Sequence, residues 1–105
     1  MNLELWNKIL AYSSRIEDSI YAKIYMPEKV LQKKSMQVFI LNIFLEKWSN
    51  NPCEDPVDIL DGMLLYYINL ENNVKSKKIQ LLIEMYSVYI KTLTNVRKII
   101  IKEIR

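Results

Sequence analysis

The chain has 105 residues, of which 50% are apolar and 26% charged, and its net charge is +3. This composition indicates one folded domain rather than a disordered chain, and no apolar run approaches the ~20 residues that a membrane span requires. The absence of histidine removes the commonest catalytic base and most zinc sites.

Helices one and two are predicted from apolar residues at helical spacing. In the first, apolar residues from Trp6 to Ile24 keep steps of three, four and seven, which indicates a helix over about residues 3–25. Pro27 disfavours helix at the residue before it but is tolerated in a first turn, so helix two is expected over about residues 27–48. Apolar residues cover almost its whole circumference, so we expect it at the centre of the fold.

The third helix is predicted to begin after the loop "SNNPCEDP" and to cover about residues 56–70. Asp55 followed by Pro56 is typical of a helix N-cap and first position, and Asp58 could reach back to the cap amide. Gly62 lies inside this helix and costs about 1 kcal/mol relative to alanine, which indicates either close packing or loose local design.

A fourth helix is predicted over about residues 77–104, after a turn at "ENNVKSK", and it exceeds helix three by several turns. Four amphipathic helices with short connections predict one domain, residues 1–105, folded as an all-α antiparallel four-helix bundle. The apolar end of helix four would need cover from a second subunit, giving a homodimer, or from helices one and two. Its residues are Ile99, Ile100, Ile101 and Ile104.

The positive charge is concentrated near the C-terminus. Residues 1–74 carry 7 basic and 10 acidic side chains, whereas residues 75–105 carry 8 basic and 2 acidic ones. Lysines in a row can neutralise phosphates, so one interpretation is a regulator that binds nucleic acid through helix four. A basic last turn also complements the helix dipole, which is the structural alternative. The candidate basic face contains Lys91, Lys98, Lys102 and Arg105.

Four carboxylates and a tyrosine pair stand close together in "CEDPVDILDGMLLYY". Their spacing does not fit a calcium loop, since the alternate oxygens and the distal glutamate are absent. Asp55 and Asp58 are explained by the start of helix three. Glu54 and Asp61 are left over, and with Asp58 they could form an exposed acidic strip beside Tyr66 that selects a basic protein partner.

The segment "EDPVDILDG" followed by "YY" resembles the small four-helix immunity proteins that neutralise bacterial nuclease toxins. The resemblance covers about fifteen residues and implies that acidic side chains and a tyrosine pair cover a basic toxin. The matching positions are Glu54, Asp58, Asp61, Tyr66 and Tyr67. The chain departs from that family in its basic net charge and in carrying these residues on one long helix.

The sequence therefore predicts a non-enzymatic protein-binding factor, most plausibly a small inhibitor, immunity or antagonist protein, without metal or cofactor. The alternatives are the nucleic-acid regulator and a homo-oligomeric structural protein. The single Cys53 fits a reducing compartment, so a cytoplasmic location is expected. Isoleucine, lysine, asparagine and tyrosine, whose codons are AT-rich, supply 43 of the 105 residues. This bias favours a low-GC bacterium or a mobile element as the source.

Overall fold

A computed structural model describes residues 1–22 and 25–104, and it confirms the all-α four-helix fold. The four helices are α1 (Leu3–Tyr21), α2 (Glu28–Asn50), α3 (Pro56–Ser76) and α4 (Gln80–Ile104). None of the helices in these two ranges is long and apolar enough to cross a bilayer.

Helix α1 is shorter than the sequence predicted. The side chain of Asn2 caps its start by accepting a hydrogen bond of 3.0 Å from the backbone N–H of Leu5. The helix ends at Tyr21 because Ala22 adopts an extended backbone with ψ of 138°. The predicted end at Tyr25 was therefore wrong, and the predicted apolar position Ile24 lies outside the described residues.

Helix α3 is longer than predicted, and the turn placed at "ENNVKSK" was wrong for most of that segment. The helix continues to Ser76 because Val74 is only 8% exposed and a salt bridge of 3.1 Å joins Lys75 to Glu71. The chain turns at Lys78, whose φ of 56° is left-handed. With 21 residues in α3 and 25 in α4, α4 exceeds α3 by about one turn rather than several.

Helix α2 contacts each of the other three helices, and so does α4. The predicted central position of α2 holds for its second half only, because none of its residues before Ile40 is buried. Helices α3 and α4 pack extensively on each other, as do α1 and α2. Within the described residues the backbones of α1 and α3 do not approach each other closely, and α3 has only a small contact with α2. The bundle is consequently open along the line between α2 and α3.

The core lies where the first halves of α1 and α3 meet the second halves of α2 and α4. Trp48 is almost fully buried, with its ring 5.3 Å from that of Trp6 and 5.6 Å from that of Phe44. The other fully buried apolar side chains are Ile9, Ile40, Leu41, Leu60, Leu93, Val96 and Ile100. This shared core joins the α1–α2 hairpin to the α3–α4 hairpin.

The two hairpins separate away from this core. No described residue between Ser14 and Phe39 is buried, so the far end of the α1–α2 hairpin takes little part in the core. The molecule measures 39 × 38 × 24 Å. Two dimensions thus equal the length of a 25-residue helix, whereas four aligned helices would give one long dimension. The helices therefore diverge from the shared core.

The apolar end of α4 is covered mainly by the chain itself. Ile100 is fully buried, Ile99 and Ile101 are partly buried, and Ile104 is 56% exposed. Helix α1 contacts α4, and Lys8 forms an ion pair with Glu103 near this end. Helices of the same chain thus cover most of this apolar end. A homodimer through α4 stays a prediction.

Candidate functional site

The structure shows one of the two capping roles that the sequence predicted for the acidic residues at the start of α3. Asp55 is the N-cap, and its carboxylate accepts a hydrogen bond of 2.9 Å from the backbone N–H of Val57, with Pro56 at the first helical position. Among the described residues, the Asp58 carboxylate makes no return hydrogen bond to the cap amide. Asp58 therefore keeps its carboxylate available to solvent.

A cleft of about 570 Å³ opens where α3 faces the end of α2. We call it the α2–α3 cleft, and its lining residues are Lys47, Asn51, Glu54, Asp58, Ile59, Gly62, Met63, Tyr66 and Tyr67. The structure thus brings together four of the five residues that the sequence selected. Ile59 and Met63 belong to the core, so they form the apolar floor.

Asp61 is the predicted site residue that the cleft does not include. Its carboxylate accepts a hydrogen bond of 2.7 Å from Nε of Arg97 on α4, and this bond raises the pKa of the Arg97 guanidinium. At about 100° per residue, Asp61 lies ~140° around the helix from Tyr66, so it faces away from the cleft. Asp61 is therefore ion-paired and outside the cleft, and its place in a partner-binding acidic strip stays a prediction.

The tyrosine pair of α3 belongs to a cluster of aromatic rings from three helices. The ring of Tyr67 lies 5.1 Å from that of Tyr66 and 5.3 Å from that of Tyr89, and Phe39 on α2 stacks on Tyr89 at 5.8 Å. Tyr86 lies 6.1 Å from Tyr67 and completes this aromatic cluster. Its two outer members remain open to solvent, since Tyr66 is 59% and Phe39 53% exposed.

The inner tyrosines remain protonated at neutral pH. Partial burial raises the pKa of the Tyr67 hydroxyl, and the neighbouring Tyr66 and Tyr86 raise it further. Burial likewise raises the pKa of Tyr89, with added effects from Tyr67 and Tyr86. The tyrosines therefore act as hydrogen-bonding and apolar groups, and the negative charge of the cleft comes from Glu54 and Asp58.

Sequence reasoning missed Lys47, which lines the cleft, and Phe39, which belongs to the aromatic cluster beside it. Lys47 lines the cleft on the α2 side, and no carboxylate of residues 1–22 or 25–104 lies within ion-pair distance of it. Phe39 and Lys47 are eight residues apart, so they share one stripe of α2. This spacing is visible in the sequence. The place of Lys47 in the cleft, however, depends on the packing of α2 beside α3, and the role of Phe39 depends on its contact with Tyr89.

Gly62 opens the middle of the cleft. A Cβ atom added there would meet no atom within 4 Å, so the close-packing interpretation of this glycine was wrong. The position is in the middle of α3 and lines the cleft. The missing side chain thus adds free volume at the cost of helix stability.

Replacing Gly62 with alanine should therefore stabilise the fold by about 0.5–1 kcal/mol, because alanine favours helix and meets no neighbour. Urea unfolding followed by circular dichroism measures this free energy. The matched control is Ala11→Gly at an exposed position inside α1, which should cost a similar amount. Destabilisation by Gly62→Ala would contradict the open geometry of this position.

The alternative basic face is partly described. Lys91, Lys98 and Lys102 are all exposed and lie on one stripe of α4, whereas Arg105 lies outside the described residues. In the described part of the chain, none of these three lysines has a carboxylate within ion-pair distance. The lysines are thus placed as predicted, and their role stays a prediction.

The described residues bring together no group of three or more acidic or cysteine side chains that could hold a metal ion. Cys53 is exposed in the loop before α3. No protein-family model matches this chain, and searches of curated proteins and of solved structures find no match either. The resemblance to immunity proteins therefore rests on its fifteen residues alone.

Proposed function

We propose that the chain is a non-enzymatic protein-binding factor that recognises a basic segment of another protein through the α2–α3 cleft. The observation that carries the proposal is the joint placement of two carboxylates, Glu54 and Asp58, with the exposed Tyr66 on one cleft. Local helix capping accounts for neither the cleft nor its aromatic side.

The chemistry of the cleft suits a protein partner better than a small reactant. Carboxylates select cationic partners and speed their association, while tyrosine contributes a large contact area at low entropic cost. Tyr66 and Phe39 leave apolar ring surface in water, which a partner would cover. Reaction chemistry has little support, since the chain contains no histidine.

Within this class, the proposal is a small inhibitor, immunity or antagonist protein of the bacterial cytoplasm. A domain of 105 residues can block a basic active surface simply by covering it. The resemblance of "EDPVDILDG" and "YY" to immunity proteins supports this assignment. The abundance of amino acids whose codons are AT-rich supports the bacterial source. The proposed contact surface does not include Asp61, because its carboxylate is paired with Arg97 outside the cleft.

Affinity capture with two neighbouring variants tests the proposal. The immobilised protein is incubated with extract of the source cells, and bound proteins are identified by mass spectrometry. Tyr66→Ala should lower recovery of the partner about tenfold or more, because interface tyrosines are frequent hot spots. Leu65→Ala is the matched control, since Leu65 is 63% and Tyr66 59% exposed but only Tyr66 lines the cleft. Equal recovery with both variants would contradict the proposal.

A second candidate function, nucleic-acid binding through α4, is supported by the three exposed lysines on one stripe. Retention on a DNA column that falls steeply between about 50 and 200 mM salt would favour it. The triple change of Lys91, Lys98 and Lys102 to glutamine should then remove the retention. An unretained wild-type protein would count against this function and leave the protein-binding proposal in place.

A further inference from the structure

The α3 wall of the α2–α3 cleft has side chains at helical spacing. Asp58, Gly62 and Tyr66 line the cleft at intervals of four residues, so this wall is a helical ridge that spans eight residues, or about 12 Å. On the α2 side, Lys47 and Asn51 line the cleft. Phe39 lies two turns before Lys47 and borders the aromatic cluster through its contact with Tyr89.

The direction of the chain gives the cleft two different ends. Helix α2 ends at Asn50 and α3 begins at Pro56, so Lys47 lies near Glu54 and Asp58 at the end close to the connecting loop. The aromatic rings lie at the other end, where Phe39 and Tyr67 both contact Tyr89. The cleft therefore runs from a charged end, past Gly62, to an aromatic end.

The middle of the cleft is empty because of one residue. Gly62 has no side chain, nothing lies within 4 Å of its Cβ position, and the backbone there is helical. No turn and no close contact within the chain requires a glycine at this point. A side chain of a partner can insert at the centre of the cleft because this space is free.

We infer that the α2–α3 cleft binds an amphipathic α-helix of the partner, with lysine or arginine at the charged end and apolar side chains over Gly62 and the aromatic cluster. This inference rests on the proposed function and adds the form of the partner. A helix matches the four-residue spacing of the α3 wall, because its own side chains recur at i, i+3 and i+4. If the helix starts at the charged end, its positive N-terminus also faces Glu54 and Asp58.

A peptide-display experiment tests the inference without knowledge of the natural partner. The probe is a phage library of linear peptides of about 20 residues, randomised at every position and selected on the intact protein. Enriched peptides should carry a basic residue followed at helical spacing by apolar ones. Their affinity should fall about tenfold or more on Gly62→Phe, because the added ring occupies the space that the peptide's central side chain needs.

The matched control is Leu65→Phe, which adds the same ring to an exposed position of α3 outside the cleft and should leave peptide affinity within about twofold. Circular dichroism checks that both variants fold, and Gly62→Leu is a smaller second block. Enriched peptides that are extended, or that bind Gly62→Phe as well as wild type, would overturn the helix inference. So would the absence of enrichment. Loss of the natural partner with Tyr66→Ala would still support the proposed function in those cases, so the two failures are distinguishable.

Discussion

Replacing Glu54 and Asp58 with lysine in one variant should weaken partner binding about 30-fold or more, which corresponds to roughly 2 kcal/mol. The two carboxylates are the acidic side chains of the α2–α3 cleft, and two new ammonium groups beside Lys47 would repel a basic partner. Titration calorimetry with the captured partner measures the dissociation constant.

The control for this variant is Glu17→Lys with Asp18→Lys, which makes the same change of net charge on exposed positions of α1. That control should retain binding. The free energy of unfolding of the cleft variant should be only slightly lower than that of wild type. The change removes the favourable interaction of the Asp58 carboxylate with the helix dipole in the first turn of α3, which contributes about 0.3–1 kcal/mol. Equal affinity of the two double variants would rule out the cleft as the charged recognition surface.

Replacing Trp48 with alanine should produce the largest loss of stability, about 3–5 kcal/mol. Trp48 is 1% exposed, belongs to the buried core, and packs on Trp6 of α1 and on Phe44 of its own helix. Its removal leaves a cavity between α1 and α2. Because a domain of this size has a total stability of about 5–15 kcal/mol, the variant should be marginally folded.

Urea unfolding followed by circular dichroism tests this effect, with Tyr21→Ala as the control. Tyr21 is 77% exposed, so its truncation should cost no more than about 0.5 kcal/mol. Similar losses of stability in the two variants would contradict the burial of Trp48 in the core.

The parts of the fold that depend on local chemistry could be predicted from the sequence. The helix start at Asp55 and Pro56 is defined by a side chain and a ring that act within three residues, so no tertiary information is needed. The period of the apolar residues was likewise enough to predict four helices. The central position predicted for α2 holds for its second half only, because no residue from Glu28 to Phe39 is buried.

Other features depend on contacts between helices, and there the sequence was insufficient. The polar run "ENNVKSK" is typical of a turn, but burial of Val74 and the bond from Lys75 to Glu71 extend α3 through most of it. Asp61 was assigned to an acidic strip with Glu54 and Asp58, but the strip was defined by closeness in sequence, and Asp61 lies ~140° around the helix from Tyr66 and pairs with Arg97. The role of Phe39 required the contact with Tyr89.

Site-specific photo-crosslinking tests the central claim, that a protein partner is bound through the α2–α3 cleft, most directly. A benzophenone amino acid replaces Tyr66 in one version of the protein and Tyr25 in another. Tyr25 serves as the control because it is 91% exposed and lies between α1 and α2. We predict that irradiation in the source cells joins one partner protein to position 66 and none to position 25, and that the lysine changes at Glu54 and Asp58 abolish this product. A crosslinked partner at position 25 with none at position 66 would contradict the claim.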